Sequence, residues 1–292
     1  VSTPPRSRVP GTRSTRGDGA GHPPQAAPEP SAARRWPAII LMGVGAGFLA
    51  GLFGVGGGLV IVPALMAFAG MDQRHAAATS LVAIVPTSVV GAVSYGVQGQ
   101  VSLVAAAFLI AGSLAGAQLG VRLLRTLPSR VLPWTFVTFA VLVIVSQQVM
   151  VPVRDAGLTL TPVSAAALIG VGLVAGVLSG LVGVGGGAVI VPGTQLAVGL
   201  GDLLARGTSL VVMLPTALSG TVTNLRHGVA DLRVGVVVGV ASAAASPLGS
   251  RVAGMISPRT GSVLFSVFLV YVIVSTLLRS RRPSPTHRGQ PK

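Results

Sequence analysis

Long uncharged runs alternate with short charged intervals along most of this chain. No Asp, Glu, Lys, Arg or His lies between Arg35 and Asp72, His75 and Arg122, Arg130 and Arg154, Asp155 and Asp202, Arg206 and Arg226, Arg233 and Arg251, or Arg259 and Arg279. A helix needs about 20 apolar residues to cross a bilayer, and most of these runs hold one or two such lengths. The pattern predicts eight hydrophobic elements, at roughly 37–70, 76–97, 100–121, 131–150, 163–199, 206–225, 234–250 and 260–278. The fold class is therefore an all-α polytopic membrane protein. Elements one and five are too long for one straight span. Each is interrupted by a glycine cluster and then a proline, which should break the helix.

The interruptions belong to an internal repeat. GLFGVGGGLVIVP, Gly51 to Pro63, returns as GLVGVGGGAVIVP, Gly180 to Pro192, with eleven of thirteen positions identical at an offset of 129. The same offset pairs Thr79-Ser80-Leu81 with Thr208-Ser209-Leu210, Pro86-Thr87 with Pro215-Thr216, Gly43 with Gly172, Gly91 with Gly220, Gly99 with Gly228 and Arg122 with Arg251. The expected organisation is a disordered basic arm at 1–33, transmembrane repeats at 36–150 and 160–279, and a basic tail at 280–292. The first apolar run begins near Trp36 and leads straight into further spans, so a signal peptide is not expected.

Whether the repeats are parallel or inverted depends on the broken element. If it crosses once, each repeat has four crossings and the copies are parallel. If it dips in and returns, each has three and the copies are inverted. With both termini inside, single crossing leaves Arg74, Arg122, Arg125, Arg130, Arg206, Arg251 and Arg259 outside, whereas the re-entrant arrangement leaves Arg154, Arg206, Arg251 and Arg259 there. Basic residues mark cytoplasmic ends, so inverted repeats are preferred.

Composition agrees with a bilayer: 51% of the 292 residues are hydrophobic and 9% charged, against about 25% charged in a soluble domain. The net charge of +15 is a topology signal, because the arginines concentrate in the two terminal segments; nucleic acid is not an expected partner. Multi-pass insertion in the cell membrane, with both termini cytoplasmic, is. Zero cysteines exclude thiol chemistry. The four histidines form no metal cluster by local spacing, and no Walker-type loop is present, so neither cofactor nor metal is expected and an enzyme is not indicated.

Candidate chemistry lies in the duplicated glycines. A break at bilayer depth exposes backbone groups that cost several kcal/mol unless satisfied. A half-helix starting after the break presents free N–H groups and a positive dipole end, a small anion site made of backbone. Gly54, Gly56, Gly57 and Gly58, with Gly183, Gly185, Gly186 and Gly187, are the expected substrate-binding positions. Gly43, Gly45, Gly47, Gly112, Gly116, Gly170, Gly172 and Gly176 fit helix packing better. Thr79, Ser80, Thr208 and Ser209 either cap the next helix or donate to the substrate. Pro63, Pro86, Pro192 and Pro215 are kink or gating positions. His75 and His227 are the candidate coupling groups, since histidine titrates near neutrality. Corresponding positions also differ, with Tyr95 opposite Asn224 and Gln98 opposite His227. No Asp or Glu is expected inside a span.

The doubled GLxGVGGGxxxVP motif, each copy followed by TSL and a proline, resembles the sulfite exporter TauE/SafE family of bacterial permeases. The resemblance runs from about Trp36 to Leu278; the long basic arm and the Phe53/Val182 difference are its departures. It implies a secondary transporter moving a small anion such as sulfite or a sulfonate by alternating access, one half rocking against the other. The alternative is a passive anion channel with the same repeats. The lipid bilayer and the small anion are the expected partners. Homo-oligomerisation and coupling to a proton or sodium gradient stay open.

Overall fold

The structure is a computed structural model; it describes residues 32–128, part of 131–145, and 161–280. The expected disordered arm, apart from residues 32 and 33, nearly all of the tail, and much of the element at 131–150 lie outside the described residues. The named helices are α1 (Ala32–Phe53), α2 (Gly58–Phe68), α3 (Gln73–Val97), α4 (Leu103–Thr126), α5 (Pro162–Val182), α6 (Gly187–Val198), α7 (Asp202–Arg226), α8 (Leu232–Met255) and α9 (Pro258–Ser280). Among the described residues six stretches are long and apolar enough to cross a membrane, and α2 and α6 are shorter apolar helices. The long helices α3, α4, α5 and α8 start where polar caps supply acceptors for orphan N–H groups. Asp72 accepts from His75 N at 2.8 Å, Asp231 from Val234 N at 3.1 Å, and Thr161 and Ser164 form a capping box.

Both long elements break at their glycines, after α1 and after α5, and not at Pro63 or Pro192, which ride inside α2 and α6. The short helices then turn back. Gly186 lies against the Ala175 carbonyl and Gly193 against Val171, so α6 descends along α5; Gly57 lies likewise against the Ala46 carbonyl.

Small residues set the tightest packing. Gly43 faces Val238 and Ala241, Gly47 faces Ser242, and Gly51 faces Ser246 and Ser250; these contacts advance together, so α1 and α8 run parallel. In the same way Gly112 faces Ile169 and Leu173, and Gly120 faces Val177 and Leu181, making α4 and α5 parallel. In both seams a Cβ on most of these glycines would run into a backbone carbonyl, the close approach that small residues permit in membrane helices. By contrast α3 and α7 are antiparallel, with Tyr95 beside Gly207, Leu210 beside Gly91 and Leu81 beside Gly220.

The seams join elements from different repeats: α1 of the first clasps α8 of the second, and α5 of the second clasps α4 of the first. The repeats interlock. The largest buried apolar cluster lies where they meet, with Leu52, Phe53, Val55 and Leu59 from one and Leu181, Val182, Val184 and Ala188 from the other.

Candidate functional site

The two breaks have matching backbones. Gly54, Gly56 and Gly57 take φ of 68°, 68° and 77°, and Gly183, Gly185 and Gly186 take 74°, 84° and 82°. This left-handed region penalises a residue with a Cβ by roughly 1–2 kcal/mol, so the glycines are required by the turn itself. Gly58 and Gly187 have no positive φ; they open α2 and α6. A Cβ on Gly58 would lie 2.6 Å from the Gly183 carbonyl, and one on Gly187 would lie 2.6 Å from that of Gly54. The structure thus brings all eight predicted glycines together as two crossed loops in contact.

Residues 51–59 and 179–188 are buried, yet the break amides lack acceptors. The first N–H groups engaged in α2 are those of Val60 and Ile61, both bonded to Gly57 O; in α6 they are those of Val189 and Ile190, bonded to Gly186 O. The N–H groups of Val55 to Leu59 and of Val184 to Ala188 donate to no protein acceptor. Buried backbone donors are nearly always paired. Two opposed sets of free donors at helix N-termini form a site that an anion can satisfy.

The hydroxyls beside the breaks have partners of their own. Ser80 Oγ donates to Gly183 O at 2.5 Å and approaches Ala77 O at 2.8 Å; Ser209 Oγ donates to Gly54 O at 2.5 Å and approaches Arg206 O at 2.7 Å. Thr79 Oγ1 accepts from Asp231 N and Thr208 Oγ1 from Ser102 N, each at 3.0 Å. None of the four caps its own helix: Asp72 caps α3, and α7 has Gly201 at its N-cap without a side-chain bond. They tie each repeat to the other, Ser80 and Ser209 by engaging the break carbonyls.

Pro86 and Pro215 sit inside α3 and α7. His75 and His227 are exposed, His75 Nδ1 lying 2.5 Å from Asp72 Oδ1 and His227 Nδ1 2.7 Å from Thr223 O; these are contacts local to each helix end. Met213, fully buried, lies over both Gly56 and Gly185, and Ile84 joins it there.

One cluster escaped the sequence expectation. α7 begins at Asp202, earlier than the apolar pattern places it, and Asp202 and Arg206 are only 3% and 4% exposed. A carboxylate therefore does sit within a candidate span. Arg206 Nε donates to Asp202 Oδ1 at 2.9 Å, a second contact to Oδ2 is also 2.9 Å, and the guanidinium donates to Leu52 O. Tyr95 lies against Arg206 and donates to Gly51 O at 2.7 Å. The i,i+4 spacing of Asp202 and Arg206 was visible, but charges next to a span read as loop residues. Among the described residues no group of three metal-ligating side chains occurs.

The family model described as sulfite exporter TauE/SafE matches residues 7–146 and 168–292. The probable membrane transporter protein YunE of Bacillus subtilis is 33% identical over 42% of this chain and 48% of its own length. Another from the same organism, YdhB, is 31% identical over 32% of this chain and 38% of its own. The matches thus span half or less of these two relatives. A probable membrane transporter protein of Haemophilus influenzae is 28% identical over 82% of this chain and 97% of its own length. No solved structure matches.

Proposed function

Because the chain belongs to the sulfite exporter TauE/SafE family, we propose that it is a secondary transporter of a small oxyanion, sulfite or a sulfonate, bound between the two breaks. The observation that carries this reading is the pair of buried, acceptor-free amide sets at Val55–Leu59 and Val184–Ala188. Binding there needs no cationic side chain: several N–H dipoles and two helix N-termini supply the positive potential. Gly54, Gly56, Gly57, Gly58 and their counterparts give the anion backbone to touch, while Ser80 and Ser209 position the loops.

The helix directions support inverted repeats in a cell membrane. α1 and α5 each dip in and hand over to a returning short helix, and α3 and α7 oppose one another. With both termini cytoplasmic, the loops at 70–72 and 227–231 face the cytoplasm and that at 98–101 faces outward, which leaves the arginines mostly inside. Arg206, counted as an outer charge in the sequence, is buried against Asp202 and leaves that tally. The interlocked seams favour a motion in which α1–α3 travel with α8, and α5–α7 with α4. Rocking one sequence half on the other would tear both glycine seams. Pro86 and Pro215, each of which deprives its helix of a backbone bond near mid-length, are the flexing points in this reading.

Sulfite flux into proteoliposomes tests this. An imposed proton or sodium gradient should drive accumulation above equilibrium. Flux that only equilibrates identifies the passive channel, and no anion flux at all overturns the reading.

A further inference from the structure

Beside the second break the pseudo-symmetry that relates the two fails in a particular way, by removing bulk and leaving polar atoms behind. In one environment Tyr95, Arg206 and Asp202 close over the carbonyls of Gly51 and Leu52. At the offset of 129 the corresponding positions are Asn224, Ala77 and Gln73, beside the carbonyls of Gly180 and Leu181. The contacts on both sides otherwise keep this correspondence, from Ser80–Gly183 and Ser209–Gly54 to Thr79–Asp231 and Thr208–Ser102. Asn224 therefore occupies the place of Tyr95 with a much shorter side chain, and Ala77 stands in the place of Arg206.

What remains is unpartnered. Asn224 is fully buried, and both its Nδ2 and its Oδ1 lack a hydrogen-bond partner, as do Ser179 Oγ, Thr221 Oγ1 and Gln73 Oε1. Ser179 is the neighbour of Gly180 and lies one turn before the break; Thr221 lies one turn before Asn224 on α7. Ser179 and Thr221 stand where the first repeat has Ala50 and Ala92, whereas on the arginine side the unpartnered hydroxyl is that of Ser246 on α8, beside Gly51 and Gly91, where the offset gives Ala117. Each such buried polar atom costs about 1–3 kcal/mol if left unmet. Retaining several on the helices that flank one break, α3, α5 and α7, is consistent with a site built for a polar ligand.

We propose that these residues form a one-sided pocket beside the second break, which takes the distal end of a small oxyanion carrying a hydrogen-bond donor of its own, an O–H or N–H. This rests on the anion reading above. The amides of Val184 to Ala188 receive the charged group. Ser179, Thr221 and the Asn224 amide nitrogen offer donors, while Asn224 Oδ1 and Gln73 Oε1 are acceptors that a bare oxyanion cannot satisfy. Whichever way the Asn224 amide is turned, it presents one donor and one acceptor. On the other side the Arg206–Asp202 pair and Tyr95 fill the equivalent space, so the protein binds one ligand asymmetrically.

Titration calorimetry on the purified full chain in nanodiscs, with ethanesulfonate and 2-hydroxyethanesulfonate, tests the pocket. The hydroxyl-bearing ligand should bind about tenfold tighter, the worth of one well-made hydrogen bond. Thr221→Val, which keeps the side-chain shape, and Asn224→Ala should each reduce that preference to about twofold or less; Gly45→Ala, in open space, should keep it. Binding of ethanesulfonate with no preference in the parent, or a preference that survives both pocket variants, overturns the pocket and leaves the break site standing. Binding of neither sulfonate overturns both. If Asn224→Ala does not fold, Thr221→Val decides.

Discussion

Gly58 and Gly187 adopt ordinary helical dihedrals, and still neither position admits a side chain, because each lies against the backbone of the opposite break. The same test separates glycines that look alike along the chain. Gly45 and Gly116 both fit a packing role in the sequence. In the structure a Cβ on Gly45 meets nothing within 4 Å, whereas one on Gly116 would run into the Leu173 carbonyl. Gly45→Ala should thus leave the detergent melting temperature unchanged or raise it slightly, as removing a helical glycine does. Gly116→Ala should lower it, since overpacking costs typically 1–3 kcal/mol; equal melting temperatures would contradict the α4–α5 seam. The buried Asp202–Arg206 pair gives a second test. Arg206→Ala strands a buried carboxylate, at a cost of about 3–5 kcal/mol. Adding Asp202→Gln, which recreates the arrangement at Gln73 and Ala77, should recover part of that loss. A double variant less stable than the single one would show that the pair is not coupled.

At the scale of elements, the broken helices were legible because glycine clusters and repeats are local patterns. Their turning back was preferred from the arginine count alone, because the geometry behind it depends on Gly57 and Gly186 taking left-handed dihedrals and on α2 and α6 finding α1 and α5 to pack on. The start of α7 was misplaced because Asp202 and Arg206 neutralise each other across one helical turn. The TSL motifs were visible as a pair, but their partners lie more than a hundred residues away, at Gly183 and Gly54. A chain without cysteine makes the element layout easy to test. In right-side-out membranes, Asp72→Cys and His227→Cys should resist an impermeant maleimide and Gln98→Cys should react. Labelling of Asp72→Cys alone from outside would mean that the broken element crosses fully.

For the whole molecule, the interlock ties each broken hairpin to the other copy. Eleven identical positions in thirteen revealed two copies of one unit, but not that each broken hairpin is clasped by a helix of the other copy; that follows from the parallel seams of α1 with α8 and α4 with α5. The crossed breaks are the only place where both copies contribute the same buried, acceptor-free backbone among the described residues. The most direct measurement is sulfite flux per folded molecule in proteoliposomes, compared between the parent, Gly45→Ala, Gly57→Leu and Gly186→Leu. Leucine is well tolerated in a span, so all four should insert and elute as single peaks in detergent. A side chain at φ of 77° or 82° distorts the turn and blocks the amides, so both leucine variants should lose at least about 90% of flux, as a barrier rise of about 1.4 kcal/mol implies, while Gly45→Ala transports like the parent. Parental flux in both leucine variants would contradict the account.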